Sequence, residues 1–277
     1  MEEKKLMPST YAHYRFGNEV LQQLPEKQKQ IIQSNISIYN VGLHGPDLLF
    51  YYHPLVSDPI NRIGYRTHEL PAIKFFEPAG KVLAENGFAP AYAAYIFGFL
   101  CHFALDRECH DYIAEKIASS GARHAHIEVS FDRKLLVADG YNPVKKRLVE
   151  HINATQEMSK VISKFYPGVA PKNIHTTIRS MVFYSGLLRA PNKIKRGVIC
   201  AILKLSGNYR EMRGMLMDYE PDPVCADSDE ILMQRYKSAI PKAVKLITEF
   251  EDSVKGNIPF NPLYRYSFDS TLQDEKK

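Results

Sequence analysis

Several absences limit what this chain can be. Its four cysteines, Cys101, Cys109, Cys200 and Cys225, include no CxxC pair, which excludes a cysteine-type zinc finger. Cys101 and Cys109 fall on one predicted helix, about 12 Å apart along its axis, so they cannot bridge each other. The expectation is four free buried thiols in a reducing compartment. No apolar segment follows the charged start Met-Glu-Glu-Lys-Lys, so no secretory signal is read and a cytoplasmic location is expected. The longest apolar run, Phe88 to Leu105, is short for a membrane span, contains His102 and runs into Asp106. There is no Gly-rich phosphate loop, no internal repeat and no sustained strand alternation.

What remains is a globular chain of 277 residues, 45% hydrophobic, with a formal charge of +5. That length can bury a large core. The mild positive charge favours an anionic partner or surface without naming one. Helical periodicity recurs from end to end, and the fold class expected is all-α. A single domain over 1–277 is expected, with a ligand-rich half at about 8–140, a helical half at about 141–258 and a loose tail at 259–277.

In chain order, Tyr11 to Gly17 carries His13, and Asn18 to Ile38 reads as two helical pieces broken at Pro25. Tyr39 to Asp47 reads as a Gly/Pro-punctuated loop, the kind of segment that places functional side chains at the mouth of a scaffold. Residues 54–66 read as irregular, with His68 opening the next helix. A central helix is predicted over about 90–118, broken at Ser119-Ser120-Gly121. A following helix carries His124 and stops at Asp139-Gly140. Val144–Tyr166, Pro171–Leu188 and Lys193–Leu205 read as helices, and Ser228 reads as the cap of a last helix ending near 254.

The chemistry concentrates between Ala89 and Glu128. His102, Asp106 and His110 are spaced by four residues, as are His124 and Glu128. Such pairs face one way on a helix, and across 102, 106 and 110 the direction drifts by only about 80°. Imidazole with carboxylate is the mixed donor set that suits Zn²⁺, and a central carboxylate such as Asp106 can bridge two ions. The bland alternative is a core histidine or an ordinary i,i+4 ion pair at each position. Two pairs, a third histidine in register, and His13 and Asp47 upstream weigh against coincidence. His126 points away from His124 and Glu128 and reads as surface or outer support. His44 reads as support near Asp47, and His151 and His175 as structural.

The segment Phe97-Gly-Phe-Leu-Cys-His102-Phe-Ala-Leu-Asp106, with His110 and then His124-x-x-x-Glu128, resembles the zinc-dependent phospholipase C family, whose helical metal cluster is shared with P1-type nucleases. Gly42-x-x-Gly45-Pro46-Asp47, Phe50-Tyr-Tyr-His53-Pro54 and Pro8-Ser-Thr-Tyr-Ala-His13 carry the same resemblance, which covers roughly 8–140. It implies a multi-helix domain of the phospholipase C/P1 nuclease type. It also implies two or three zinc ions held by His13, Asp47, His68, His102, Asp106, His110, His124 and Glu128. Asp47 is the implied general base, and His68 is preferred over the competing His53. Phosphodiester hydrolysis follows, with phospholipid as the implied substrate, peripheral membrane contact in prospect and nucleic acid as the weaker alternative. Secreted relatives complete one zinc pocket with an N-terminal tryptophan, and this chain has none. Water, Glu2, Glu3, Tyr11 or Tyr14 are the substitutes considered. A helical metal- or lipid-binding protein without turnover is the reading from another functional class. A basic set, Arg189, Lys193, Lys195, Arg196 and Lys204, could face anionic headgroups or simply be solvated. Tyr51, Tyr52, Tyr65, Phe75 and Phe76 could line a groove or fill the core.

Overall fold

The computed structural model describes residues 10–207 and 209–272. Twelve α-helices follow in order: α1 Tyr11–Gln23, α2 Glu26–Gln33, α3 Ile36–Gly42, α4 Pro59–Glu69, α5 Ile73–Glu85, α6 Pro90–Ser120, α7 His124–Ala138, α8 Gln156–Ser163, α9 Pro171–Leu188, α10 Lys193–Leu205, α11 Tyr209–Met212 and α12 Ala226–Val254. A 3-10 turn, Gly45–Tyr51, links α3 to α4. Among the described residues the only β pairing is an isolated bridge between Tyr266 and Leu272. The fold is all-α.

The axis of the fold is α6. Its first half is apolar on every side, so it is stable only when surrounded, and every residue from Ala93 to Asp106 is buried. α3 and α12 pack most extensively on it. The α3–α6 crossing needs glycine on both helices. A Cβ on Gly98 would lie 2.3 Å from the Tyr39 carbonyl oxygen, and one on Gly42 would lie 2.3 Å from that of Tyr95. The helix ends where Gly121 adopts φ 70°, a left-handed cap that costs a residue without Cβ nothing.

The N-terminal end of α1 is capped from a distance. Thr10 makes no side-chain cap of its own. Instead Asp132 of α7, 1% exposed, accepts the backbone N–H groups of Thr10, Tyr11 and Ala12 at 3.0, 3.0 and 2.7 Å. A carboxylate at a helix N-terminus satisfies orphan donors and meets the positive end of the dipole. It also fixes the turn that carries His13.

Several sequence expectations change, among them that His68 opens a helix, since it lies in the last turn of α4. Residues 54–66 are not all irregular: Asp58 accepts from Ile60 N–H at 2.8 Å while Asn61 Oδ1 accepts from Asp58 N–H at 3.0 Å, a capping box that starts α4 with Pro59 in its first turn. Tyr39 to Gly42 belong to α3 and not to a loop. Residues 144–155 are non-helical although apolar side chains recur there. Asn142 turns the chain through Lys145, Val149 and Ile152 reach the core as turn residues, and Thr155 caps α8 by accepting from Met158 N–H. Tertiary contacts override the periodicity. α12 begins at Ala226, so Ser228 lies inside its first turn and donates to the Cys225 carbonyl at 2.8 Å.

The tail changes as well. Residues 259–272 pack on the core: Tyr264, Ser267 and Phe268 are buried, and the Phe268 ring meets those of Phe76, Phe99 and Phe103. Ala72 N–H donates to the Tyr266 carbonyl at 2.9 Å, and the Arg107 guanidinium covers the Tyr266 ring at 4.0 Å. Residues 273–277 of the expected loose segment lie outside the described residues. No described cysteine is in a disulfide; Cys101, Cys109 and Cys225 are buried, but Cys200 is only half-buried. Phe76 and Tyr51 are core residues, Phe75 stacks on Phe99, and Tyr65 stacks on Phe50.

Two predictions follow from these contacts. Asp132→Ala strands three backbone donors and is expected to cost about 3 kcal/mol of stability, read as a lower urea midpoint; an unchanged midpoint would remove the remote cap from the account. His151, stacked on Tyr14 at 3.9 Å, has a pKa pushed down to about 3, by burial first and by Lys146 second. The unfolded chain, with an ordinary pKa of about 6.5, takes up that proton first as pH falls. Stability is therefore complete above about pH 6.5 and lost progressively toward pH 3. His151→Gln, which cannot titrate, should show a smaller drop in unfolding midpoint between neutral and acidic pH than the parent.

Candidate metal centre

Six segments deliver side chains to one buried cluster. α6 supplies His102, Asp106 and His110 along a single face, as the four-residue spacing requires. The centre of the cluster is Asp106. His102 Nε2 lies 2.9 Å from its Oδ2, His13 Nε2 lies 3.2 Å from its Oδ1, and His110 Nε2 lies 3.6 Å from its Oδ1. His13 comes from α1, and its ring stacks on that of His102 with centroids 4.3 Å apart.

Asp47 enters from the 3-10 turn and His68 from the last turn of α4, with His68 Nε2 2.5 Å from Asp47 Oδ1. The other Asp47 oxygen is 3.6 Å from His102 Nε2. This approach depends on Gly45. Its φ is 48°, and a Cβ there would sit 2.3 Å from His102 Cδ2, so any side chain would push the turn off the imidazole. On the far side, the first turn of α7 places His124 Nε2 3.1 Å from Glu128 Oε1, and His110 Nε2 lies 3.6 Å from the same oxygen.

The donor atoms fall into overlapping triads: His13, His102 and Asp106; Asp47, His68 and His102; His110, His124 and Glu128. Within each triad the ligand-capable atoms lie within 4.8 Å of one another. The orientation of these groups fits a cation. Asp47 Oδ2, His102 Nε2, Asp106 Oδ2 and Glu128 Oε2 are fully buried and close together, yet none makes a well-directed hydrogen bond. Unsatisfied buried charge of this kind is costly unless a cation completes it. The Leu43 carbonyl, 3.3 Å from His102 Nδ1, can only accept, so Nδ1 carries a proton and Nε2 is the nitrogen turned to the carboxylates.

Electrostatics shape the cluster further. Burial opposes ionisation of Asp106, but the charges of His102 and His110 outweigh it and hold its pKa well below the usual carboxylate range. Glu128 is likewise held low, burial being overcome by His124 and His110. Burial disfavours the imidazolium of His102, yet Asp106 and Asp47 raise its pKa.

His53 is not brought to the cluster; its side chain is 55% exposed and its Nδ1 lies 3.4 Å from Asp58. His126 faces Asp222 at 3.0 Å on another side of α7. His44 is buried against His151, Nε2 to Nε2 at 3.1 Å. Tyr11 donates to Asp139 at 2.7 Å and Tyr14 stacks on His151, so neither replaces the missing tryptophan. Glu2 and Glu3 lie outside the described residues.

One participant carries no signal in the sequence. Asp269, carried by the packed tail, places Oδ1 3.3 Å from His110 Nδ1 and 3.9 Å from His68 Nδ1. It forms a further donor group with those two histidines. Nothing in Ser267-Phe-Asp269-Ser marks it in sequence, because its position depends on where Phe268 is buried. The geometry is that of a carboxylate behind a ligating imidazole, which orients the ring and fixes its tautomer.

A buried, carboxylate-centred array of histidines inside a helical bundle defines the class: all-α proteins whose His, Asp and Glu groups could hold metal. The chain belongs to the zinc-dependent phospholipase C family, whose model matches residues 12–174. That match reaches past the 140 expected from sequence, into the start of α9, and ends before Asp269. No curated protein and no solved structure matches the chain.

Replacing Asp269 by Asn should weaken zinc binding about 10- to 100-fold in chelator competition while leaving the helical content intact. An unaltered affinity would reduce Asp269 to a neighbour of the site.

Proposed function

We propose that the chain is a zinc-dependent hydrolase of phosphodiester bonds acting on phospholipids. The observation that carries this reading is the gathering of Asp47, His68 and His102 in one buried group, His13, His102 and Asp106 in a second that shares His102, and His110, His124 and Glu128 in a third. Asp106 is the carboxylate placed to be shared. His13 reaches Asp106 from α1 and completes the group that the two share with His102. Zinc held by these residues would polarise a phosphoryl oxygen and lower the pKa of bound water toward neutrality.

The remaining roles belong to the chain. Asp47 uses Oδ1 toward His68 and leaves Oδ2 facing the interior of the cluster, where it can orient a nucleophilic water and accept its proton. Leu43 and Asp269 act behind the ligands by holding His102 and His110 at their Nδ1 atoms. The apolar half of α6 keeps water away from the inner face of the array and gives the charges a low-dielectric setting.

Metal analysis of the purified protein should give about two or three zinc ions per chain. Release of phosphocholine from a soluble synthetic ester should fall about 10²- to 10⁴-fold in Asp47→Asn and also in His102→Ala. Bound zinc with equal rates in parent and variants would leave a metal-binding protein without the assigned catalysis. Faster cleavage of single-stranded nucleic acid than of the phospholipid ester would move the substrate class instead.

A further inference from the structure

α10 is an amphipathic helix facing the wrong way for a core. Only Leu203 of its thirteen residues is buried. Ile194, Val198, Ile202 and Leu205 are 82%, 54%, 59% and 90% exposed. Their spacing of four, four and three residues places them along one stripe. α9 adds exposed Phe183 and Leu187, again four residues apart. The two helices are tied at their junction, where Lys195 Nζ donates to the Gly186 carbonyl at 3.0 Å and to that of Arg189 at 2.6 Å. Single exposed apolar residues are ordinary, whereas a continuous stripe of them marks an interaction surface.

Along α9 and α10 themselves the charge has one sign. Between Glu157 and Glu211 the chain contains no Asp and no Glu. Arg179, Arg189, Lys193 and Lys204 are exposed within that span. Arg196 is set apart because it pairs with Asp218 at 2.9 Å. No described helix is long and apolar enough to cross a membrane. An apolar stripe flanked by cations and too short to span is the pattern of a helix that lies in a lipid–water interface.

We infer that the exposed face of α10, with Phe183 and Leu187 of α9, docks the protein on an anionic phospholipid bilayer. The choice of occupant rests on the phospholipid reading above and on charge complementarity: the cations meet anionic headgroups while Ile194 and Leu205 enter the acyl boundary. A second copy of the chain fits less well. A two-fold contact would set the patch against itself and bring Lys193 and Lys204 of both copies together without an acidic partner in the patch.

The test uses the full-length zinc-loaded protein and vesicles of phosphatidylcholine with or without phosphatidylglycerol, read by flotation. The parent should bind the anionic vesicles at least about tenfold more tightly than the neutral ones, and added salt should weaken it. The double variant Ile194→Glu with Leu205→Glu should lose at least about tenfold of that binding, with its zinc content and its hydrolysis of a soluble ester preserved. Asp47→Asn should still float with the vesicles, and vesicle binding without hydrolysis in the parent would sink the enzymatic reading while supporting this surface. Absence of binding to anionic vesicles, or equal binding by parent and double variant, overturns the proposal. So does a parent dimer in gel filtration that the double variant converts to a monomer, since the face would then belong to a second copy.

Discussion

A carboxylate buried in the middle of an apolar helix is the constraint around which this protein is built. Asp106 is 3% exposed, and one turn before it on α6 the side chains are Phe, Ala and Leu. A buried charge must find opposite charge or directed donors. Here it finds three imidazoles, His102, His110 and His13, and their pull is strong enough to keep it ionised against its burial. Each imidazole in turn carries a second obligation. His102 is held at Nδ1 by Leu43, His110 by Asp269, and His13 by the anchoring of α1 on Asp132.

The packing of the bundle serves that arrangement. Gly42 and Gly98 let α3 come close enough to α6 for the following 3-10 turn to reach the cluster. Gly45 then passes its backbone over the His102 ring, and Asp47 arrives from above. α4 lies against the same turn because Gly64 has no side chain: a Cβ there would be 2.8 Å from the Pro46 carbonyl. That contact sets His68 beside Asp47. The aromatic tail closes the assembly through Phe268, and Asp269 follows from it by one residue.

Local order explains which features could be read in advance. His102, Asp106 and His110 share a face because a helix repeats every 3.6 residues, and the same holds for His124 and Glu128. The stops at Gly121 and Asp139-Gly140 follow from backbone chemistry at single residues. His68 and His53 could not be separated in this way. His68 does not open a helix but lies in the last turn of α4, where the packing of that helix on the 3-10 turn brings it to Asp47. The capping box at Asp58 and Asn61 was a local signal for that helix, disguised by Asn in place of Glu or Gln. The helix expected over Val144–Tyr166 is kept as α8 but fails over 144–155 for the opposite reason: its apolar period is real, but turns and long-range contacts claim those residues.

The sequence by itself determined the all-helical class, the central helix and the two i,i+4 constellations, since each depends on residues within one or two turns of each other. It also held the family resemblance, through the order of its histidines and carboxylates. Only the tertiary structure decided that His13, Asp47 and His68 meet those constellations, that the tail is packed, that Asp269 stands behind His110, and that α10 turns its apolar stripe outward. Those outcomes depend on the relative placement of distant segments, on glycine-sized gaps between helices and on which of several apolar faces the core accepts. Periodicity can say that a helix has two faces; the rest of the fold chooses which one is covered.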